Sequence, residues 1–282
     1  MCADAVYDDS RSTLARREFL QLTAASAATA MAVRAMGATT DGSAAKNTPR
    51  QTVCVLGASG HVGGAIVTAL LSAGYHVTAI SRSAGKLQSI QSEHEGAKGL
   101  DTLMGDVSSD TAADQLRAEI LSRFGRPSAI VAALSSPAAD APMRILDTPT
   151  AKLREAFNSN FFSHVTAAVA LIPSLQPGGV YIGFSGGLAD FVVPNMGALS
   201  MTESALRSLY SVLAAETRDA KGSASPAEVR LLSLYGLVAT DPTVKGDVYI
   251  DARQIGIRVS EIVGRPEDFP GPLLAIKSKQ YS

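Results

Sequence analysis

The chain predicts an α/β fold, a single doubly wound parallel sheet flanked by helices on both faces. Three observations predict it. Short apolar runs alternate with helical segments from about residue 51 to the C-terminus. The runs are apolar along their whole length, as strands covered on both faces are. The first run also passes through a glycine-rich turn straight into helical spacing, which opens a strand–helix–strand unit.

Thr52-Val53-Cys54-Val55-Leu56 is the opening strand, and Gly57-Ala58-Ser59-Gly60 makes the turn. Val62, Ile66, Ala69 and Leu70 then recur at helical spacing, and Gly74 closes that helix. The second strand is His76–Ile80; the third is short, around Leu103-Met104, and stops at Gly105-Asp106. The fourth strand is Ala129–Leu134. A long helix from about Ala151 to Leu171 ends before Pro173. Val180–Ser185 is the fifth strand, Ser200 to Arg218 a second long helix, and Val229–Leu234 the sixth strand. A short helix near Ile255–Val263 precedes the last strand, Leu273–Ile276. Right-handed crossovers place the helices on both faces of the sheet. Residues 51–282 thus read as one Rossmann-type unit with no separate substrate domain.

The composition removes several function classes. A formal net charge of −1 leaves no cation surplus to neutralise phosphates, so no nucleic-acid partner is expected. No apolar run reaches the ~18 residues of a membrane span. The two cysteines, Cys2 and Cys54, suit neither a disulfide nor a metal site, and no metal is expected.

The strand, glycine turn and helix N-terminus form a site for a diphosphate. The N–H groups and positive dipole end of the helix face the anion, and glycines let backbone approach it. The Gly57, Gly60 and Gly63 spacing, between a strand and a helix, fits a dinucleotide fingerprint. An ordinary strand–helix turn is the alternative.

The first fifty residues read as an address. Ser12 to Gln21, with Arg16-Arg17 and Phe19-Leu20, resembles a twin-arginine export signal, and an Ala- and Thr-rich stretch, Leu22 to Val33, follows. Residues 1–35 are expected to be a removable leader and 36–50 a polar linker. The protein would then be exported to the periplasm; the alternative is a cytoplasmic protein with an amphipathic N-terminal helix and a chance Arg-Arg pair.

From residue 50 onwards the order of motifs resembles the short-chain dehydrogenase/reductase family. Gly57, Gly60 and Gly63 fall at its cofactor glycines, in the spacing of its extended or atypical branches; the orthodox spacing would put a glycine at His61. Asp106-Val107 resembles the pair beside the adenine, and Asn160 the mid-helix asparagine. Tyr235 to Thr240 resembles the loop that passes the nicotinamide, and Pro266-Glu267-Asp268 a late turn. The resemblance implies a nicotinamide cofactor held by Gly57, Ser59, Gly60, His61, Val62, Gly63, Ser81, Arg82, Asp106, Val107 and Ala133. It also implies a small-molecule substrate and a homodimer paired through the two long helices. At the end of the second strand a carboxylate would repel a 2′-phosphate. Ser81-Arg82-Ser83 stands there instead and suits one, which favours NADP over NAD. A solvated strand-end charge is the other reading of Arg82.

The family's Tyr-x-x-x-Lys pair and serine are not in their places. Leu199 falls at the tyrosine, Glu203 at the lysine and Gly186 at the serine. The gap needs no alignment to see: no tyrosine lies between Tyr181 and Tyr210, and no lysine between Lys152 and Lys221. Tyr210 follows Leu199 by eleven residues, about 16 Å along a helix. Candidate catalytic residues are therefore Asn160, Ser185, Asp190 and Glu203. Glu203 reads either as an acid, as a partner of ribose hydroxyls, or as a solvent-facing carboxylate. His164, one turn after Asn160, reads as a proton relay or as a satisfied core histidine. The expected function is an atypical NADP(H)-dependent oxidoreductase with another proton donor. The alternatives are a non-redox isomerase, cyclase or dehydratase, and a binding protein without chemistry.

Overall fold

A computed structural model describes residues 51–135, 142–219, 227–241 and 243–282. These residues belong to one compact unit, Pro49–Ser282. The expected leader and linker, residues 1–50, lie outside the described residues.

The sheet has seven strands: β1 (Thr52–Leu56), β2 (His76–Ser81), β3 (Leu100–Met104), β4 (Ala129–Ala132), β5 (Val180–Gly186), β6 (Glu228–Tyr235) and, after a small pair, β9 (Leu273–Lys277). Their order is β3-β2-β1-β4-β5-β6-β9, and every pairing is parallel. The small pair is β7 (Leu237–Ala239) with β8 (Tyr249–Asp251). Among the described residues seven α-helices accompany them: α1 (His61–Ser72), α2 (Ala84–Glu93), α3 (Asp110–Phe124), α4 (Thr150–Phe157), α5 (Ser163–Leu171), α6 (Gly197–Asp219) and α7 (Ala252–Gly264).

Alternate residues of each strand feed two cores, as the strand period of two requires. Val53 and Val55 of β1 pack with α1, α2 and α7 through Ile66, Leu87 and Ile255. Cys54 and Leu56 pack on the other face with α3, α5 and α6 through Leu116, Leu171 and Leu206. The sheet is doubly wound because both faces of nearly every strand are apolar. All strands run the same way, so the ends of β1, β2, β4, β5 and β6 gather on one edge. The strand order reverses between β1 and β4, which opens a crevice there.

Four details depart from the sequence reading. β3 begins at Leu100, because Asp101 pairs with His76 at 2.6 Å and so tolerates a strand interior that looked too polar. β4 ends at Ala132 rather than Leu134. The expected helix 151–171 is broken into α4 and α5 by a π-turn over Asn158–Phe162. The Tyr235–Thr240 stretch is part strand, with β6 running to Tyr235 and β7 following Gly236. The apolar residues of α6 also divide. Leu206 is buried and Leu209 and Leu213 pack against the core, whereas Val212 is 48% exposed.

Candidate active site

One end of the crevice is made by close approach of backbone to backbone. Gly57 has φ +71°, and a Cβ there would run into the Ala133 carbonyl, 3.0 Å from its carbon. A Cβ on Gly63 would fall 2.8 Å from the Gly57 carbonyl carbon and 2.9 Å from Ala58 Cα, so the helix can pack this tightly on the turn only with glycine. Ala58 N–H donates to Ile80 O at 3.1 Å, which ties the turn to β2. Gly60 caps α1 in extended conformation without a side-chain hydrogen bond, so no side chain competes with an anion for the helix N-terminus. These residues fit a diphosphate.

Hydroxyls and a guanidinium gather beside it. Ser59 Oγ and Ser81 Oγ are hydrogen-bonded at 2.9 Å, so the turn and the end of β2 share one polar corner. Arg82 follows, exposed, and Ser83 Oγ caps α2 by accepting from Lys86 N–H. Asp106 accepts from Ser108 N–H at 3.1 Å and Ser108 Oγ at 2.6 Å, holding the turn after β3. Val107 is 6% exposed and belongs to one core, and Val62 packs on the opposite core. His61 is exposed and lines an open groove between α1 and α7 with Ala65 and Thr240.

The other end of the crevice is made of side chains. Gly186 ends β5, and a Cβ there would fall 2.8 Å from Glu203 Cδ and 2.9 Å from Glu203 Oε2. The Glu203 carboxyl, on α6, therefore fills the space that a side chain at 186 would take; the residue is 7% exposed. Asn160 sits buried in the π-turn, which packs against α6. Asn158 is exposed. Ser185 is buried, and its Oγ donates to Gly186 O at 3.4 Å.

Asp190 stands in the loop after β5 and accepts from two groups that sequence reading did not single out as its partners, the Tyr235 hydroxyl and the Arg207 guanidinium. No local pattern connects them, since they come from β6 and α6. Phe191 beside it stacks on Tyr281 with ring centroids 5.3 Å apart and tilts against Tyr235 at 6.4 Å. A Cβ on Gly187 would lie 2.9 Å from both Phe191 and Tyr235. A second strap comes from Met143, whose N–H donates to Asn195 O at 2.8 Å.

His164 is a satisfied core histidine. Its Nε2 lies 3.1 Å from Leu134 O and its Nδ1 2.9 Å from the Tyr210 hydroxyl. The carbonyl can only accept, so Nε2–H donates to it and Nδ1 accepts from the tyrosine. Burial pushes the imidazole down to about 4, which keeps it neutral near pH 7. Burial likewise raises the Tyr210 phenol well above its ordinary value. That ring lies over Gly183, where a Cβ would fall 2.6 Å from Tyr210 Cε1, deep under the sheet rather than at its edge. Among the described residues no group of three or more metal-ligating side chains comes together.

A family model described as Enoyl-(Acyl carrier protein) reductase matches residues 57–222. No curated protein matches the chain. Solved structures share its fold. A short-chain dehydrogenase/reductase from Serratia marcescens superposes with a TM-score of 0.69 at 21% identity, covering 81% of this chain and 97% of that one. An alcohol dehydrogenase from Thermococcus sibiricus, complexed with 5-hydroxy-NADP, gives 0.67 at 23% identity over 81% and 97%. A dehydrogenase/reductase from Sinorhizobium meliloti 1021 gives 0.69 at 24% identity over 80% and 93%. A glycine turn built on Gly57 and Gly63, seven parallel strands wound on both faces, and a family match across more than half its length together make this chain a member of the short-chain dehydrogenase/reductase family.

Proposed function

We propose that the protein is an NADP(H)-dependent oxidoreductase that works without the tyrosine–lysine pair. The observation that carries this is the backbone-built turn, where Gly57 and Gly63 leave a helix N-terminus uncapped by any side chain. Gly57, Gly60 and Gly63 would hold the diphosphate. Ser59, Ser81 and Arg82 would hold the 2′-phosphate, as a guanidinium flanked by hydroxyls suits a dianion. Asp106 and Val107 would border the adenine, with Ala133, Val62 and His61 completing the walls. The bound nicotinamide would supply or take up hydride. Of the four candidates for proton handling, Asp190 is engaged by Tyr235 and Arg207, while Asn160, Ser185 and Glu203 are all buried. Glu203 is the titratable group at the end of β5.

Titration of the purified protein with NADPH and NADH, followed by nicotinamide fluorescence, tests the reading. Tighter binding of NADPH is expected, and no binding of either overturns it. The missing pair also favours a second reading, a binding protein or non-redox enzyme that keeps the nucleotide. Absence of hydride exchange at a bound nicotinamide would select it.

Two further parts belong to the proposal. Phe162, Val169 and Val212, 51%, 65% and 48% exposed on the outer faces of the π-turn, α5 and α6, would pair two copies of the chain. The twin-arginine-type leader would export the folded, nucleotide-loaded protein to the periplasm.

A further inference from the structure

The loop after β5 is tethered at both ends and pinned in its middle. None of residues 188–195 is buried, so the loop places no side chain in either core. At its ends Ser200 Oγ donates to Leu188 O at 2.8 Å, and Met143 N–H to Asn195 O at 2.8 Å. In its middle the Asp190 carboxylate accepts from Arg207 of α6 and from the Tyr235 hydroxyl of β6. The next ring, Phe191, stacks on Tyr281 with the two planes 11° apart. Tyr281 belongs to the turn Lys279–Tyr281 after β9, which is itself tied down twice. Ser278 N–H donates to Tyr235 O at 2.9 Å, and Gln280 N–H to Asp247 O at 2.8 Å. The turn therefore joins the loop after β5 to the segment between β7 and β8, the stretches that follow two neighbouring strands.

Phe191 and Tyr235 close on Gly187, the residue after Gly186 and its neighbour Glu203. Whatever enters or leaves the end of β5 has to pass this loop. A surface loop fixed at its ends, with its middle held by half-exposed contacts, opens locally when those contacts release. We propose that Tyr281 is a positioning residue: with Tyr235 and Arg207 it pins the loop across the end of β5, and release of the pin admits and frees the nicotinamide end of the nucleotide. The gating half of this proposal rests on the oxidoreductase reading; the pinning half rests on the contacts alone.

Stopped-flow fluorescence gives the association and dissociation rates of NADPH. Hydrogen exchange gives the opening of the loop through the Asp190 amide, which donates to Gly187 O at 3.0 Å. Tyr281→Ala loses one ring stack and should speed both NADPH rates by about fivefold. A gate open more of the time quickens entry and exit alike, so Kd should not change. Exchange at Asp190 should rise by the same factor, while exchange at Ala58, whose amide donates to Ile80 O, should stay at the parental rate. Tyr281→Phe keeps the stack and should match the parent throughout. Faster dissociation without faster association, unchanged rates or exchange, or the same acceleration in Tyr281→Phe overturns the proposal. A parent protein that binds no NADPH overturns the oxidoreductase reading and the gate with it, and exchange at Asp190 then decides whether Tyr281 pins the loop.

Discussion

The two ends of the crevice are built from different materials. Around Gly57 and Gly63 the working surfaces are backbone: a carbonyl, a helix N-terminus and two positions where a Cβ has no room. At the end of β5 they are side chains from α6, β6 and the loop after β5, namely Glu203, Tyr235 and Asp190. A backbone site can be kept only by keeping its glycines, and it binds the same anion whatever surrounds it. A side-chain site changes its chemistry with one substitution and leaves the fold untouched.

The sharpest way to break the contrast is at Gly57. Gly57→Ala must adopt φ +71° and meet the Ala133 carbonyl, so NADPH affinity should fall by about 100-fold or more, on the order of 3 kcal/mol. Fluorescence titration reads it, and near-parental affinity would show that the turn is not the binding surface.

His164 lies beneath the sheet, bonded to Leu134 after β4 and to Tyr210 on α6. Its imidazole titrates near 6.5 when unfolded and about 4 when folded, so the unfolded chain binds more protons between those values. Stability should therefore fall as pH drops through that window, by up to about 3 kcal/mol from this group. Urea unfolding at pH 7 and pH 4.5 should show a smaller loss in His164→Gln, which can still donate and accept. Equal losses in the two proteins would place the acid sensitivity elsewhere.

Arg82→Ala should weaken NADPH by about tenfold, roughly 1.4 kcal/mol, and leave NADH unchanged. Parallel titrations check it, and an equal effect on the two nucleotides would mean that Arg82 does not meet the 2′-phosphate.

The smallest energetic effect is expected outside both regions. Val212→Glu should convert a dimer to a monomer in sedimentation while changing unfolding free energy by no more than about 0.5 kcal/mol. Leu209→Glu is the poorer probe, because Leu209 packs against the core and its change unfolds as well as separates. An unchanged mass for Val212→Glu would remove α6 from the interface.

Much of this was legible beforehand, and the failures have physical causes. The apolar runs located the sheet strands because strands buried on both faces admit little else. β3 reaches back to Leu100, beyond the apolar Leu103-Met104 pair, where the fold sets His76 beside Asp101. The π-turn was missed because one extra residue in a helical turn leaves the apolar pattern almost unchanged. Glu203 was aligned with the family's lysine, but that its carboxyl lies over the serine position could not be read from residues seventeen apart.

The sequence by itself determined the layered fold and the glycine turn, because both rest on local matters: which residues tolerate burial in a strand, and where only glycine fits the backbone. Only the tertiary structure decided the chemistry at the end of β5. The Glu203–Gly186 overlap, the Asp190 contacts with Tyr235 and Arg207, and the neutral His164 each bring together chain segments far apart in number. Contacts of that kind follow from packing two helices and a loop on one sheet edge, and no spacing along the chain encodes them.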